Sequence, residues 1–277
     1  LVIIGAGASY DCWPKHVETN STYQKIPLAN DLFSHMVVQN GFLNEYDLMG
    51  LASVLRRIAA QKGKDFDIEG ELENINDTAS KRGDLNTMQN LFKARFYLHS
   101  IINVLTKRTL SYTSSHTIYV DLLNQLKEWI DQSPTSRFVD IVVFNYDNLI
   151  EKAMENVYNY DWHSKNKQAP MGAYYSGKNL RIYKPHGSIN WGREVMRKDS
   201  HFEYKLIQEA FHEFNQIELA HSFQFIDPDI IDTDQHKNVV PAIAVPFKKK
   251  TNFEECPQEM QVEMLNATAT GSSPRPW

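Results

Sequence analysis

The sequence has few cysteines, no excess of positive charge and no long apolar run, and each lack excludes a class of protein. Cys12 and Cys256 are its two cysteines, too few for a disulfide framework or a four-cysteine zinc site. The net charge of −5 argues against direct nucleic-acid binding. No apolar stretch approaches the roughly 20 residues that span a bilayer. With no charged leader before the first apolar residues, we expect a cytoplasmic protein that binds no membrane.

The composition is typical of a folded domain. Hydrophobic residues make up 42% of the 277 residues and aromatic residues 12%, as in globular proteins that bury a sizeable core. We find no internal repeat and no linker, so we expect one domain over residues 1–265. From Asn266 onward the side chains are small and polar and prolines follow, which predicts a disordered tail over residues 266–277.

The first nine residues, Leu-Val-Ile-Ile-Gly-Ala-Gly-Ala-Ser, predict a buried strand followed by a glycine turn. The strand is indicated by four apolar residues in a row, three of them β-branched. Gly5 and Gly7 then allow a tight turn whose backbone N–H groups can approach a phosphate. The usual dinucleotide fingerprint has a third glycine where this chain has Tyr10, so a nucleotide loop and an ordinary tight turn both remain open.

The pattern of residues 43–132 indicates a large helical insertion. Apolar residues recur there at helical spacing in three stretches: Leu51, Val54, Leu55 and Ile58; Phe92, Phe96, Ile101, Ile102 and Leu105; Leu122, Leu123, Leu126 and Ile130. The acidic run Asp65–Glu73 between the first two stretches is most simply a solvated helix start. Pro27 favours the start of a helix, and the polar stretch Tyr10–Lys25 before it predicts a loop that covers a ligand.

Two more strands are predicted to end in polar residues. Residues 138–144 are apolar and β-branched and end at Asn145, and helical character resumes after Asp147. The strand Leu180–Lys184 is followed by Pro185-His186-Gly187-Ser188. Ligands bind at the carboxyl ends of parallel strands. If the strands are neighbours, an amide, a carboxylate and an imidazole therefore meet the glycine turn at one edge of the sheet.

Each of these polar residues also has a structural explanation. Asn145 and Asp147 can cap the following helix, as Asn and Asp commonly do. His186 is one of ten histidines, and a single histidine is often structural although its pKa range suits catalysis. The agreement among three strand ends favours a functional site.

Taken together, the motifs resemble those of the sirtuin-like domains. The residues that carry the resemblance are Gly-Ala-Gly-Ala-Ser at positions 5–9, Asn-Tyr-Asp at 145–147 and His-Gly-Ser at 186–188. The segments Phe-Asn-Tyr-Asp and Lys-Pro-His-Gly-Ser-Ile-Asn-Trp look most like the bacterial branch of these domains, which is found in antiphage defence. That branch occurs in Thoeris-type effectors, phage-sensing sirtuin-like proteins and sirtuin–Argonaute systems. Pro27-Leu28 and Val245-Pro246-Phe247 are similar to the same branch.

The resemblance implies an α/β fold with a Rossmann-like, mostly parallel sheet of about six strands and helices on both faces, which binds NAD. It implies that Asn145 positions water or the ribose, that His186 acts as a base, and that Asp147 holds the nicotinamide amide. The other residues that it implies in cofactor binding are Gly5, Ala6, Gly7, Ala8, Ser9 and Ser188. Because two cysteines cannot build the zinc module of the protein-deacylating sirtuins, we expect no metal.

The activity that the resemblance implies is NAD cleavage, with release of nicotinamide and ADP-ribose or cyclic ADP-ribose. The implied role is the effector of an antiphage abortive-infection system, active as a homo-oligomer or with a partner defence protein. A zinc-free deacylase or ADP-ribosyltransferase is one alternative. A non-catalytic module that senses NAD or ADP-ribose is another, although a sensor has no need of both Asn145 and His186.

Overall fold

The computed structural model of the chain describes residues 1–15, 17, 25–34, 37–133, 137–162, 171–177, 179–198, 200–203, 214–229, 238–248 and 253–271. The helices are α1 (Ala6–Asp11), α2 (Val37–Glu45), α3 (Met49–Lys62), α4 (Ile68–Arg82), α5 (Leu85–Tyr112), α6 (Ile118–Asp131), α7 (Leu149–Tyr158), α8 (Gly172–Tyr175) and α9 (Gln258–Gly271). The strands are β1 (Val2–Ile4), β2 (Val139–Val143), β3 (Leu180–Tyr183), β4 (Gly187–Arg197), β5 (Ser200–Glu203), β6 (Ile217–Leu219), β7 (Gln224–Phe225) and β8 (Val239–Ile243).

The first three strands form a parallel sheet in the order β1–β2–β3. All five residues of β2 are buried, as a strand with a neighbour on each side requires, and this burial explains its continuous apolar run. Ile141 pairs with Val2 on one side and with Ile182 on the other. These three strands are therefore parallel neighbours, which meets the condition for their polar ends to converge.

The later strands form a separate antiparallel sheet around β4, which pairs with β5, β6, β7 and β8. Three residues separate β3 from β4, and a parallel crossover needs a dozen or more. The chain therefore turns back after β3 instead of extending the parallel sheet. The described residues confirm a parallel α/β core, but a six-stranded Rossmann-like sheet is not confirmed.

The predicted helical insertion is present and supplies α3 to α6 between β1 and β2. Asp67 caps α4 by accepting a hydrogen bond from the backbone N–H of Glu69, so the acidic run does begin a helix. Gly83 ends α4 in the left-handed conformation, with φ of 65°, which glycine adopts without steric cost. Of the helices that the structure describes, none combines the length and apolar character needed to cross a bilayer.

Three local predictions need correction or fall outside the described residues. The helix predicted after Pro27 is a single 3-10 turn, Ala29–Asp31. The predicted covering loop begins inside α1, and residues 16 and 18–24 of it lie outside the described part of the chain. The tail does not begin at Asn266, because α9 continues to Gly271.

The packing of α9 explains why the helix continues past Asn266 despite the polar sequence there. Met260, Met264 and Ala267 recur at helical spacing and are all buried, so this face of the helix packs into the protein core. Residues 272–277 of the predicted tail lie outside the described residues.

Candidate functional site

A cavity of about 210 Å³ lies at the carboxyl edge of the parallel sheet. Five of the residues predicted to form the site line it: Ala6, Ser9, Asn145, Asp147 and His186. Its walls also include Ile26, Pro27, Ala29, Leu32, Glu69, Ile102, Phe144, Tyr146 and Pro246. The edge thus collects the polar ends of three strands, while the insertion and two proline-containing loops close the other sides.

Asn145 is held by two hydroxyl groups. Its amide nitrogen Nδ2 lies 2.6 Å from Ser9 Oγ and 3.0 Å from Tyr119 Oη, and the two hydroxyl oxygens are 2.8 Å apart. The amide oxygen Oδ1 is buried and has no hydrogen-bond partner among the described residues. A buried polar atom without a partner is costly in a folded protein, so Oδ1 is suited to accept a hydrogen bond from a ligand.

Asp147 combines a structural and an electrostatic role. Its Oδ1 accepts a hydrogen bond of 3.1 Å from the backbone N–H of Leu149, the first residue of α7. Asp147 therefore caps the start of this helix, which was one of the two roles that the sequence left open. Burial raises the pKa of its carboxyl, while the charge of Lys184 and a hydrogen bond from Ser9 oppose that rise. The side chain is 3% exposed, so bulk water only weakly screens a charge at this position.

His186 is surrounded by aromatic rings. Its ring centroid lies 5.0 Å from that of Phe144, 6.2 Å from that of Tyr146 and 6.4 Å from that of Phe253. The next residue, Gly187, has φ of +81°, so the chain reverses at once into β4. This turn brings the imidazole to the cavity wall rather than into the antiparallel sheet.

Ser188 does not line the cavity as the resemblance implied. Its hydroxyl lies in a buried network beneath the site, 2.7 Å from Lys184 Nζ. Lys184 also donates to the backbone oxygen of Asp147 at 2.5 Å and to Glu151 Oε1 at 2.9 Å. The residues before and after His186 thus hold its turn against the Asn145–Asp147 turn.

The glycine motif forms a different local structure from the one predicted. β1 passes directly into α1, and Gly5 precedes that helix with φ of −118°, an angle that any residue can adopt. A Cβ atom at Gly5 or Gly7 would lie more than 4 Å from every other described atom outside the immediate chain. Ala6 and Ser9 line the cavity, whereas Gly5, Gly7 and Ala8 are not among its lining residues.

Two polar residues at the site were missed by sequence reasoning, and both come from the helical insertion. Tyr119 lies on α6 and reaches Asn145, and no pattern in the sequence marked it. Glu69 in the first turn of α4 lines the cavity. Burial and then the charge of Glu69 raise the pKa of Tyr146. Glu69 belongs to the acidic run, which charge patterning alone assigned to solvent.

The described residues hold no group of three or more His, Cys, Asp or Glu side chains that could bind a metal ion. Cys12 and Cys256 are both buried, and burial raises the pKa of each thiol to about 12. A buried thiol with so high a pKa is a poor metal ligand, because metal binding requires the thiolate.

No protein-family model matches the chain, and no curated protein matches it either. The likeness to sirtuin-like domains therefore depends on the motif residues alone. A function has to follow from the chemistry of the cavity.

Proposed function

We propose that this chain cleaves the bond between nicotinamide and ribose in NAD. The observation that supports the proposal is the convergence of Ser9, Asn145, Asp147 and His186 on one cavity at the carboxyl edge of a parallel sheet. Ligands of open α/β sheets bind at this edge. An amide, a carboxylate and an imidazole in a partly enclosed cavity can bind a substrate and move a proton.

The lining of the cavity suits the nicotinamide end of NAD, which carries a positive charge on its ring. Glu69 and Asp147 contribute carboxylates and Phe144 and Tyr146 contribute aromatic rings, and both kinds of group attract a cation. None of the described lining residues is Lys or Arg. At about 210 Å³ the cavity is smaller than a typical ligand pocket of about 300–1,000 Å³, so it suits one end of the dinucleotide.

The reaction needs a positioned nucleophile more than a strong acid. Water attacks the anomeric carbon of the ribose while the bond from that carbon to the nicotinamide nitrogen breaks. The electron pair of the broken bond leaves with nicotinamide, which departs as a neutral molecule. Asn145 Oδ1 accepts a hydrogen bond from the water and His186 takes its proton, a contribution of about 100-fold or more. The positive charge that develops on the sugar, as in glycoside hydrolysis, is stabilised by the nearby carboxylates.

The biological role that we propose is that of an antiphage effector in the cytoplasm, on the strength of the motif resemblance. Unregulated hydrolysis of NAD would drain the cell that makes the enzyme. We therefore expect activity to depend on assembly, either as a homo-oligomer or with a partner defence protein. We also expect the purified protein to carry no stoichiometric metal.

The test is product analysis by chromatography after incubation of the purified protein with NAD over a concentration series of the protein. We expect one molecule of nicotinamide for each molecule of ADP-ribose or cyclic ADP-ribose that is formed. Asn145→Ala and His186→Ala should each lower the rate about 100-fold or more. The exposed residues Asn86 and His221 provide matched controls, Asn86→Ala and His221→Ala, that should retain the parent rate.

Three results would contradict the proposal. If the two site variants are folded and cleave NAD at the parent rate, the site is assigned incorrectly. If NAD is consumed only with an acylated peptide or a protein acceptor, the chain is a transferase. If NAD binds and stays intact at every protein concentration, the chain is a sensing module.

A further inference from the structure

Tyr119 lies far from the three motifs in sequence, yet its hydroxyl reaches the centre of the site. It stands 110 residues from Ser9 and 26 residues from Asn145, on α6 of the helical insertion. The side chain is 2% exposed, so solvent does not compete for its hydrogen bonds. The contacts of this hydroxyl are the 2.8 Å approach to Ser9 Oγ and the 3.0 Å approach of Asn145 Nδ2.

Two of the hydrogen bonds around Tyr119 have a definite direction. The hydroxyl groups of Ser9 and Tyr119 hydrogen-bond each other, and either of them can be the donor. Both hydroxyl oxygens also accept from the two N–H groups of Asn145 Nδ2, because an amide nitrogen has two donors and no acceptor.

This arrangement fixes which end of the carboxamide faces the cavity. Nδ2 has both of its protons engaged, while Oδ1 is buried with no partner among the described residues. Rotation of the side chain by 180° about its last bond would place Oδ1 between two hydroxyl oxygens and would turn the N–H groups toward the ligand. Two anchors on the nitrogen prevent that rotation more effectively than one, because the rotation breaks the hydrogen bonds of Nδ2 to both hydroxyl oxygens.

We propose that Tyr119 is a positioning residue, which together with Ser9 holds the Asn145 carboxamide with its oxygen toward the substrate. This inference rests on the proposed function, in which Oδ1 orients the attacking water. It assigns to the helical insertion a direct part in the chemistry of the parallel-sheet edge. Tyr119 acts through Asn145 and does not itself line the cavity.

The test compares Tyr119→Phe with the parent in steady-state NAD cleavage. The variant keeps the ring and removes one hydroxyl, so we expect the fold to survive. Orientation of the nucleophile matters in the transition state more than in substrate binding. We therefore expect kcat to fall at least about 10-fold while KM stays within about twofold.

The matched control is Tyr183→Phe. Tyr183 is fully buried, and its hydroxyl donates to Asp140 Oδ1 at 3.1 Å, away from the cavity lining. Removal of the Tyr183 hydroxyl also deletes a buried hydrogen bond, so it should lower the thermal stability as Tyr119→Phe does. It should leave kcat unchanged. The inference is overturned if both variants show the same thermal shift and both keep the kcat of the parent. Tyr119 would then have a purely structural role.

A second measurement does not depend on catalysis. In protein labelled with ¹⁵N at asparagine side chains, the Asn145 amide signal is identified by its loss in Asn145→Ala. Its protons should exchange slowly in the parent and in Tyr183→Phe, and at least about 10-fold faster in Tyr119→Phe. If the parent does not cleave NAD, the proposed function fails, while unchanged exchange in Tyr119→Phe overturns the positioning role itself.

Discussion

At the scale of single residues, Lys184 shows how a buried charge can organise a site that it does not line. Its ammonium group is 0% exposed and binds Asp147, Glu151 and Ser188 together. Removal of one member of a buried ion pair leaves the other charge without compensation, which is more costly than the loss of the pair.

We predict that Lys184→Met destabilises the protein by about 3–5 kcal/mol, measured by urea denaturation. The Glu151 carboxylate would then be buried beside an apolar side chain. The double variant Lys184→Met/Glu151→Leu removes both charges and should recover most of that loss. If the double variant is no more stable than the single variant, the unpaired charge is not the cause.

His99 on α5 predicts a pH dependence of stability. Its Nε2 donates to the backbone oxygen of Ile189 at 2.9 Å, and its Nδ1 has no partner among the described residues. Burial lowers its pKa from 6.5 to about 4. Between these pH values the unfolded chain binds a proton on His99 that the folded chain does not bind. The free energy of unfolding therefore decreases as the pH falls from 6.5 to 4.

Between pH 6.5 and pH 4 we expect His99 to account for a loss of about 3 kcal/mol in the free energy of unfolding. In His99→Gln, which can still donate to Ile189, that part of the pH dependence should disappear. Urea denaturation of both proteins at several pH values measures the difference. Parallel curves for the two proteins would contradict the assignment.

At the scale of secondary-structure elements, the turn between β3 and β4 carries the strictest backbone requirement near the site. Gly187 has φ of +81°, and a Cβ atom there would lie 1.8 Å from the backbone oxygen of Ala242 on β8. The turn therefore needs glycine both for its angle and for the close approach of β8. The position of His186 at the cavity depends on this turn.

We predict that Gly187→Ala destabilises the protein by several times the cost of left-handed strain alone. Gly83 is the matched control, since its φ is +65° and a Cβ there meets no other described atom within 4 Å. Gly83→Ala should cost about 1–2 kcal/mol, whereas Gly187→Ala must also displace β8. Thermal denaturation of both variants decides this, and equal shifts would refute the steric argument.

At the scale of the whole molecule, one hydrophobic cluster joins the parts that the chain order separates. It includes Ile4 of β1, Leu98 of the insertion, Ile141 of β2, Trp191 of β4 and Met260 of α9. Unfolding of either sheet or of the insertion would therefore expose apolar residues of the core that they share.

We predict a single cooperative unfolding transition for the described part of the chain. Far-UV circular dichroism reports mainly the helices of the insertion, and tryptophan fluorescence reports buried rings such as Trp191 and Trp162. The two urea curves should have the same midpoint. A separate early loss of helical signal would indicate that the insertion unfolds independently.

Elements with strong local patterns could be predicted from the sequence. The apolar run of β2, the helical spacing of the insertion and the polar turns at Asn145–Asp147 and His186 could all be predicted, because neighbouring residues specify them. Five predicted residues line the cavity, Ala6, Ser9, Asn145, Asp147 and His186, since the carboxyl ends of parallel strands meet at one edge.

Contacts between residues that are distant in the sequence follow from the packing of the folded chain. Tyr119 reaches Asn145, Glu69 lines the cavity, and Ser188 lies against Lys184 instead, because the packing of the insertion and of β4 sets their directions. The return of the chain after Gly187 placed the later strands in an antiparallel sheet, and the burial of Met260 and its neighbours kept α9 helical. These contacts depend on which surfaces pack together in the folded protein, and the pattern of neighbouring residues does not specify that packing.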